Sequence, residues 1–273
     1  MDIQYYADLW SEGKVARASA TAFWDNRADE FNKLVSPKTS DQRIGKMLGF
    51  MSDHNLFAKN SSVLDIGCGP GGFAVEFAKT SRDVTGLDIS SKMLDHAHEN
   101  AAAANLTNIS FKNLNWDDVN LEEYGWKKRF DLVTAINSPG IHDQVTLEKM
   151  IAASKGYCFL SNFVSRSDSV QDVIRAEILQ LKDPKFYVNT VYCIFNILWL
   201  MGYHPHITYV DTDREHVRSL EEAHSYYGTL FELKNGPADD QNKLIKNYLE
   251  HISPDGFVRE RVQTKTAWIY WNV

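Results

Sequence analysis

Cysteine is scarce in this chain. Its 273 residues hold three, Cys68, Cys158 and Cys193. They are far apart and odd in number, and no CxxC or CxxxH pair occurs. This argues against a disulfide framework and a structural zinc site, and no metal is expected. It suits a reducing cytosol. Long hydrophobic runs are also missing. The longest, Val191–Met201, is interrupted by Asn196 and falls far short of the roughly 20 residues that cross a bilayer. It reads as a buried helix, and no membrane partner is expected. The first residues, MDIQYYADLWSEG, carry acids and no long apolar stretch, which is not the pattern of a signal peptide. A cytoplasmic location is expected.

Positive charge is in deficit. Lys and Arg number 29 against 36 Asp and Glu, a formal net charge of −7. An acidic protein repels a phosphate backbone unless it carries a local basic stripe. The densest basic run, Lys127-Lys128-Arg129, sits just before an apolar strand and reads as a solvated loop. The charge therefore points away from nucleic acid and toward a small-molecule substrate, handled by a monomer or homodimer. Apolar residues at 44% and charged residues at 24% are ordinary for a globular chain and exclude wholesale disorder.

Residues 1–60 read as an N-terminal helical cap. Ile44, Met47, Leu48 and Met51 recur at helical spacing, with Ser40 or Asp41 as a cap. Pro37 separates this helix from a segment rich in aromatics, including Phe23, Trp24 and Phe31. From residue 61 strands and helices alternate. Strands are expected at Val63–Ile66, Val84–Leu87, Ile109–Phe111, Phe130–Ile136 and Tyr157–Val164. Helices between them carry Phe73, Ala74, Phe77 and Ala78, then Met93, Leu94, Ala97 and Ala101 behind a Ser90 cap, then Thr146–Ala153. This order implies a mainly parallel sheet covered on both faces, an α/β fold. Beyond residue 164 the pattern loosens. Val173, Ile174, Ile178 and Leu181 predict a helix, and Val191–Met201 another. Further helices are expected at 215–231 and 240–251, with strands at Ile207–Val210 and Thr264–Trp271. The stretches 167–205 and 215–251 read as cap helices inserted in a core spanning 61–273.

One motif dominates: Val63-Leu64-Asp65-Ile66-Gly67-Cys68-Gly69-Pro70-Gly71-Gly72. It follows a strand and opens a helix. Its glycines permit positive φ and close approach of backbone to a ligand. Gly67, Gly69 and Gly72 fit the GxGxxG of dinucleotide enzymes. Asp65, Gly67, Gly69 and Gly71 fit DxGxGxG. Charge separates the two readings. A pyrophosphate sits poorly beside Asp65, whereas a ligand with an ammonium and a sulfonium gives that carboxylate a positive group to meet. Asp88 ends the second strand, 17 residues after Gly71, where a carboxylate accepts hydrogen bonds from both ribose hydroxyls.

Over residues 61–164 the chain resembles the class I S-adenosylmethionine (SAM)-dependent methyltransferases, with LDIGCGPGG as their cofactor loop. The resemblance implies a Rossmann-like seven-stranded sheet with an antiparallel final hairpin, and S-adenosyl-L-methionine as cofactor. It implies Asp65, Gly67, Cys68, Gly69 and Gly71 as the cradle and Asp88 at the ribose. Ile89 and Met93 flank the adenine. Asp117, after the third strand, reaches the adenine's edge, and Trp116 either stacks on its ring or anchors the loop. Tyr6 and Trp24 are candidates for an aromatic lid over the cofactor. Arg27, one turn after Trp24 if that helix is continuous, is placed to grip the cofactor's carboxylate. The fourth strand ends in Asn137-Ser138-Pro139-Gly140-Ile141-His142-Asp143. Asn137 is expected beside the transferred methyl group. The segment faintly resembles the Asn-Pro-Pro-Tyr motif of exocyclic-amine methyltransferases but differs at Ser138 and Gly140. His142 is the candidate general base, with His204 and His206 as weaker ones. The expected reaction is transfer of the SAM methyl group to a small-molecule nucleophile, under a lid formed by the N-terminal helices and the 167–205 region. An NAD-dependent oxidoreductase and an inactive SAM-binding protein remain as alternative readings.

Overall fold

The computed structural model describes residues 1–11, 20–35, 37–181, 189–235 and 239–273. The chain divides into two compact units. The first holds residues 1–162, 189–208 and 267–273, and the second holds 163–188 and 209–266. The N-terminal helices thus fall in the same unit as the sheet's parallel strands.

The first unit opens with four helices, α1 (Ile3–Ser11), α2 (Ala20–Asp25), α3 (Ala28–Val35) and α4 (Pro37–Asp53). The last of these begins at Pro37, ahead of the Ser40 and Asp41 expected to cap it; proline's fixed φ suits a first helical turn. Ile44, Met47 and Met51 are buried along α4, as their spacing predicts. Strand β1 (Ser62–Ile66) is buried at every position, because a central parallel strand meets helices on both faces. Helix α5 (Gly72–Ala78), β2 (Asp83–Asp88), α6 (Ser91–Ala103) and β3 (Ile109–Asn113) follow, then β4 (Phe130–Ile136), α7 (Gln144–Ala153) and β5 (Ser154–Asp168). The Ser90 side chain caps α6 by accepting the Met93 amide hydrogen.

β1 pairs in parallel with β2 on one side and β4 on the other, β2 with β3, and β4 with β5. The chain therefore builds outward from β1 in both directions. The strand ends around β1 and β4 bound the crevice where open α/β sheets take their ligands. Helix α9 (Thr190–Leu200) packs against α1, with the Tyr6 and Tyr192 rings edge to face at 5.6 Å.

Two further strands, β6 (His206–Ser219) and β7 (Phe257–Asn272), complete a sheet of order β3-β2-β1-β4-β5-β7-β6. β7 runs antiparallel to its neighbours. Val273 N–H donates to Gly156 O and Ser169 N–H to Arg261 O, so numbers fall along β7 as they rise along β5. Likewise Lys265 pairs with Asp211, Arg261 with Asp213 and Glu260 with Arg218 across β7 and β6. The seven-stranded Rossmann-like sheet and its antiparallel end match expectation.

The second unit contains the far parts of β5, β6 and β7. It adds a helical turn α8 (Gln171–Val173) that passes into a π-helical turn at Ile174–Ile178, and the helices α10 (Leu220–Asn235) and α11 (Asp239–Ile252). Residues 215–219, expected as helix, continue β6 instead, and β7 begins well before Thr264. Both strands are charged and alternate only loosely, so their periodicity is masked by ladder ion pairs. The predicted helix at Val173–Leu181 is reduced to one short and one widened turn. The unit's core is Ala223, Tyr227, Phe231, Ile245, Leu249 and Val258. Within it Glu260 is 3% exposed, receives the Tyr227 hydroxyl hydrogen and pairs with Arg218 at 3.1 Å. Burial, then the nearby Asp168 and Glu260 carboxylates, push the Tyr227 phenol far above its ordinary value, so the tyrosine is a permanent donor. Tyr227→Phe removes that donor from a buried carboxylate. We expect a loss of about 1–3 kcal/mol, read by urea unfolding, with faster amide exchange in residues 220–260.

Candidate functional site

The loop after β1 is shaped by three glycines at positive φ: Gly67 at 70°, Gly69 at 54° and Gly71 at 82°. Gly71 sits at the start of α5, and a Cβ there would press on Ala97 of α6 at 3.0 Å. Gly67 and Cys68 both donate their amides to Leu87 O, at 2.8 and 2.9 Å, which ties the loop to the end of β2. Gly69 N–H donates to Asp88 Oδ2 at 2.9 Å. Ser90 N–H donates to the other oxygen, Oδ1, at 2.9 Å. Asp88 is thus fixed by one amide on each carboxylate oxygen, and about half of a carboxylate's four acceptor positions remain for a ligand. Asn113 holds the same turn by donating to the carbonyls of Asp88 and Ile89. Met93 is buried beside the loop, its sulfur 3.9 Å from the position of a Cβ on Gly69. Ile89 is half-buried at the same strand end.

Asp65 is 2% exposed. Its Oδ1 accepts the Thr134 hydroxyl at 2.8 Å, and among the described residues no Lys or Arg forms an ion pair with it. Burial raises its carboxyl to about 7, opposed by the Thr134 bond and reinforced by Asp88. Asp88 is likewise raised, chiefly by burial. Cys68 is pushed up well above the thiol range by burial and then by the same two carboxylates, so its sulfur is not a thiolate nucleophile. A buried acid, Asp65, and a half-buried one, Asp88, thus stand beside one loop. A pyrophosphate would add to their repulsion.

At the end of β4, Asn137 adopts φ 50°. A non-glycine residue holds that conformation only when its surroundings fix it. Here the Asn137 amide donates to Ser161 O at 2.9 Å and its Oδ1 accepts the Ser161 hydroxyl at 3.0 Å. Ser138 turns back toward the glycine loop, where its side chain fills the space a Cβ on Gly67 would need. Ser138 was not among the expected site residues; the chain carries no local signal that two strand ends meet there.

The structure revises several assignments. Trp116 is 1% exposed, its indole N–H donates to Thr146 O at 3.1 Å, and Lys149 Nζ lies 5.5 Å from its ring. It anchors its loop and leaves no open face for a base. His142 Nε2 stands 2.8 Å from Asp117 Oδ1 and its Nδ1 3.2 Å from Asp143 Oδ2. Nε2 donates to Asp117, the kind of contact by which a carboxylate fixes an imidazole's tautomer and orientation. Asp143 also caps α7 through the Thr146 amide. The helix carrying Trp24 ends at Asp25 and a new one starts at Ala28. Arg27 lies at the break, bonded to Glu30 at 3.1 Å and set over the Phe23 and Phe31 rings. Trp24 packs edge to face on those same two rings. Tyr6 instead lies against α9. His204 and His206 are at the opposite, amino-terminal edge of the sheet, where with His54, Tyr157, Tyr203 and Tyr270 they line a cavity of about 340 Å³.

The strand order and the glycine loop with its two strand-end acids define a class I, Rossmann-like SAM-dependent methyltransferase fold. Residues 57–242 match the family described as "Methyltransferase domain", and the chain belongs to that family. An uncharacterized protein of Haemophilus influenzae is 26% identical over 260 residues, covering 92% of this chain and 88% of that one. The ubiquinone biosynthesis O-methyltransferase of Acinetobacter baylyi is 27% identical over 255 residues, covering 90% and 91%. Among solved structures, magnesium protoporphyrin IX methyltransferase from Synechocystis PCC 6803, with bound S-adenosylhomocysteine, aligns with a TM-score of 0.52 at 14% identity, covering 92% and 99%. No described helix is long and apolar enough to cross a membrane.

Gly67→Ala tests the loop's packing. The new methyl group would collide with Ser138 and sit at positive φ. The expected loss is about 1–3 kcal/mol in chemical unfolding. Adding Ser138→Gly should recover the part due to collision and leave the part due to φ.

Proposed function

We propose that this protein is an enzyme that moves the methyl group of SAM to a nucleophilic atom of a small-molecule acceptor by in-line displacement. The observation that carries the reading is the buried Asp65 carboxylate beside Asp88, at a loop of amides shaped to meet a ligand. SAM carries an ammonium and a sulfonium, and both suit that field. The residues present fit the cofactor. Asp65 receives the ammonium, directly or through water. The backbone of Gly67, Cys68, Gly69 and Gly71 borders its amino-acid portion, and Asp88 accepts the ribose hydroxyls. Ile89 and Met93 flank the adenine, with Asp117 toward its edge and Asn137 beside the reacting carbon.

When bound, SAM supplies a methyl group already activated by its sulfonium. The chain's task is then alignment and exclusion of water rather than early proton removal. His142, held by Asp117 at 2.8 Å, is the candidate general base for an acceptor whose nucleophile carries a proton. The docking of α1 on α9 supports a lid built from the N-terminal helices and the 190–200 region, with Tyr6 and Trp24 as its aromatic members. The small-molecule acceptor follows from the acidic surface and is supported by the name of the Acinetobacter baylyi relative.

Asp88→Ala should weaken SAM binding by about 1.5–3 kcal/mol, because two charge-assisted hydrogen bonds are lost. Gly69→Val, at a φ of 54°, should abolish binding while the protein stays folded. Titration calorimetry checks both. Thermal shift with SAM and S-adenosylhomocysteine against NAD is the direct test of the class. Stabilisation by NAD alone overturns it.

The raised Asp65 carboxyl gives a signed pH dependence. Below about 7 the ligand-free site holds a proton that an unfolded carboxylate releases near ~4. The native state therefore binds more protons across that window, and Asp65's contribution to ligand-free stability falls as pH rises through it. Pairing with an ammonium requires the ionised form. SAM binding should release a proton below pH 7, and affinity should weaken as pH drops toward 4. Calorimetry in two buffers of different ionisation enthalpy measures that proton.

A further inference from the structure

Three residues of α6 and its cap, Ser90, His96 and Asn100, make side-chain contacts with the N-terminal helices. Ser90 Oγ lies 2.5 Å from Asp25 Oδ1. His96 Nε2 meets Asp29 at 2.8 Å. Asn100 Nδ2 reaches Asn32 Oδ1 at 2.9 Å and also Pro70 O, inside the glycine loop, at 2.9 Å. The α2–α3 segment is thus laid along α6, whose other face supports the loop through Met93 and Ala97.

Of the three contacts, the first ends at the ribose carboxylate. Ser90 is completely buried and has one hydroxyl hydrogen. Its oxygen already accepts the Met93 amide at 3.1 Å, so its hydrogen goes to the Asp25 carboxylate, which can only accept. Its own amide donates to Asp88 Oδ1. Asp25 therefore fixes the Ser90 hydroxyl, the hydroxyl fixes the first turn of α6, and the Ser90 amide fixes one oxygen of Asp88. The path crosses 65 residues of sequence and joins α2 to Asp88 through the Ser90 hydroxyl.

The geometry points to Asp25 as a positioning residue for the cofactor: its bond to Ser90 holds Asp88 in the orientation that receives the ribose, so that docking of the N-terminal segment and cofactor affinity are one event. This rests on the SAM reading above. Asp25 acts through Ser90 and touches no reacting atom. A role in packing alone would change stability but not this affinity.

The test compares Asp25→Ala, Asp25→Asn and Ser90→Ala in the full chain, by calorimetry with SAM and with S-adenosylhomocysteine. Asp25→Ala should raise both dissociation constants about threefold to tenfold, the range of one ordinary net intramolecular hydrogen bond, because Asp25 acts on the ligand only through Ser90. KM for SAM should rise with kcat unchanged. Asp25→Asn keeps an acceptor oxygen and should bind within about twofold of the parent. Asp25→Ala and Ser90→Ala together should be no worse than Ser90→Ala alone. Parent-like affinity in Asp25→Ala, with or without a lowered melting temperature, overturns the proposal. So does an Asp25→Asn variant as weak as Asp25→Ala, since charge rather than the bond would then be what matters. If the parent protein binds neither ligand, the SAM reading itself fails, and that outcome is separate from both.

Discussion

Gly69 N–H to Asp88 Oδ2 is the bond on which the site's geometry depends. It joins the turn after β1 to the end of β2 and converts two neighbouring parallel strands into a cradle. Everything near it is set by that link. The loop can stay open because its glycines hold positive φ. α6 can start at Ser91 because Ser90 caps it, and Ser90's amide is in turn held by Asp88. Asp65 sits one strand further in, where burial makes its charge costly until a positive group arrives.

Buried acids without a cationic partner raise their own protonation, and Asp65 is held near 7 for that reason. Binding a cation there stabilises the native state by mass action. Asn137 adds a second local cost, a left-handed non-glycine residue at a strand end, offset by its two bonds to Ser161. Both costs fall at strand ends around β1 and β4, where the parallel architecture places its ligand crevice.

Those strand ends were legible in the sequence because local rules determine them. Val63, Leu64 and Ile66 mark β1 as a buried strand, and the glycines after it suit the run of positive φ values in the turn. Ser90 as a cap is equally local. What the sequence did not disclose depends on distant partners. Trp116 fits either stacking or anchoring on sequence alone, and its indole N–H, taken by Thr146 30 residues away, makes it the anchor. Arg27 shares the face of Trp24 only on a continuous helix, and the helix breaks after Asp25. Nothing near His142 in the chain announces that Asp117, 25 residues earlier, holds its Nε2. Residues 215–219 were misread because cross-strand ion pairs, rather than apolar alternation, hold that stretch of β6.

Those ion pairs have a further consequence. β6 is the last strand of the sheet, and its outer edge offers unpaired backbone groups to any passing strand. Asp211, Asp213, Arg214 and Glu215 crowd that edge, with Asp211 tied to Lys265 and Asp213 to Arg261. A charged edge of this kind resists strand addition. Two copies of the chain would have to bury several fixed charges to extend one sheet into another. Self-association through this edge is therefore disfavoured, and the protein is protected at its longest exposed strand from fibril-like growth.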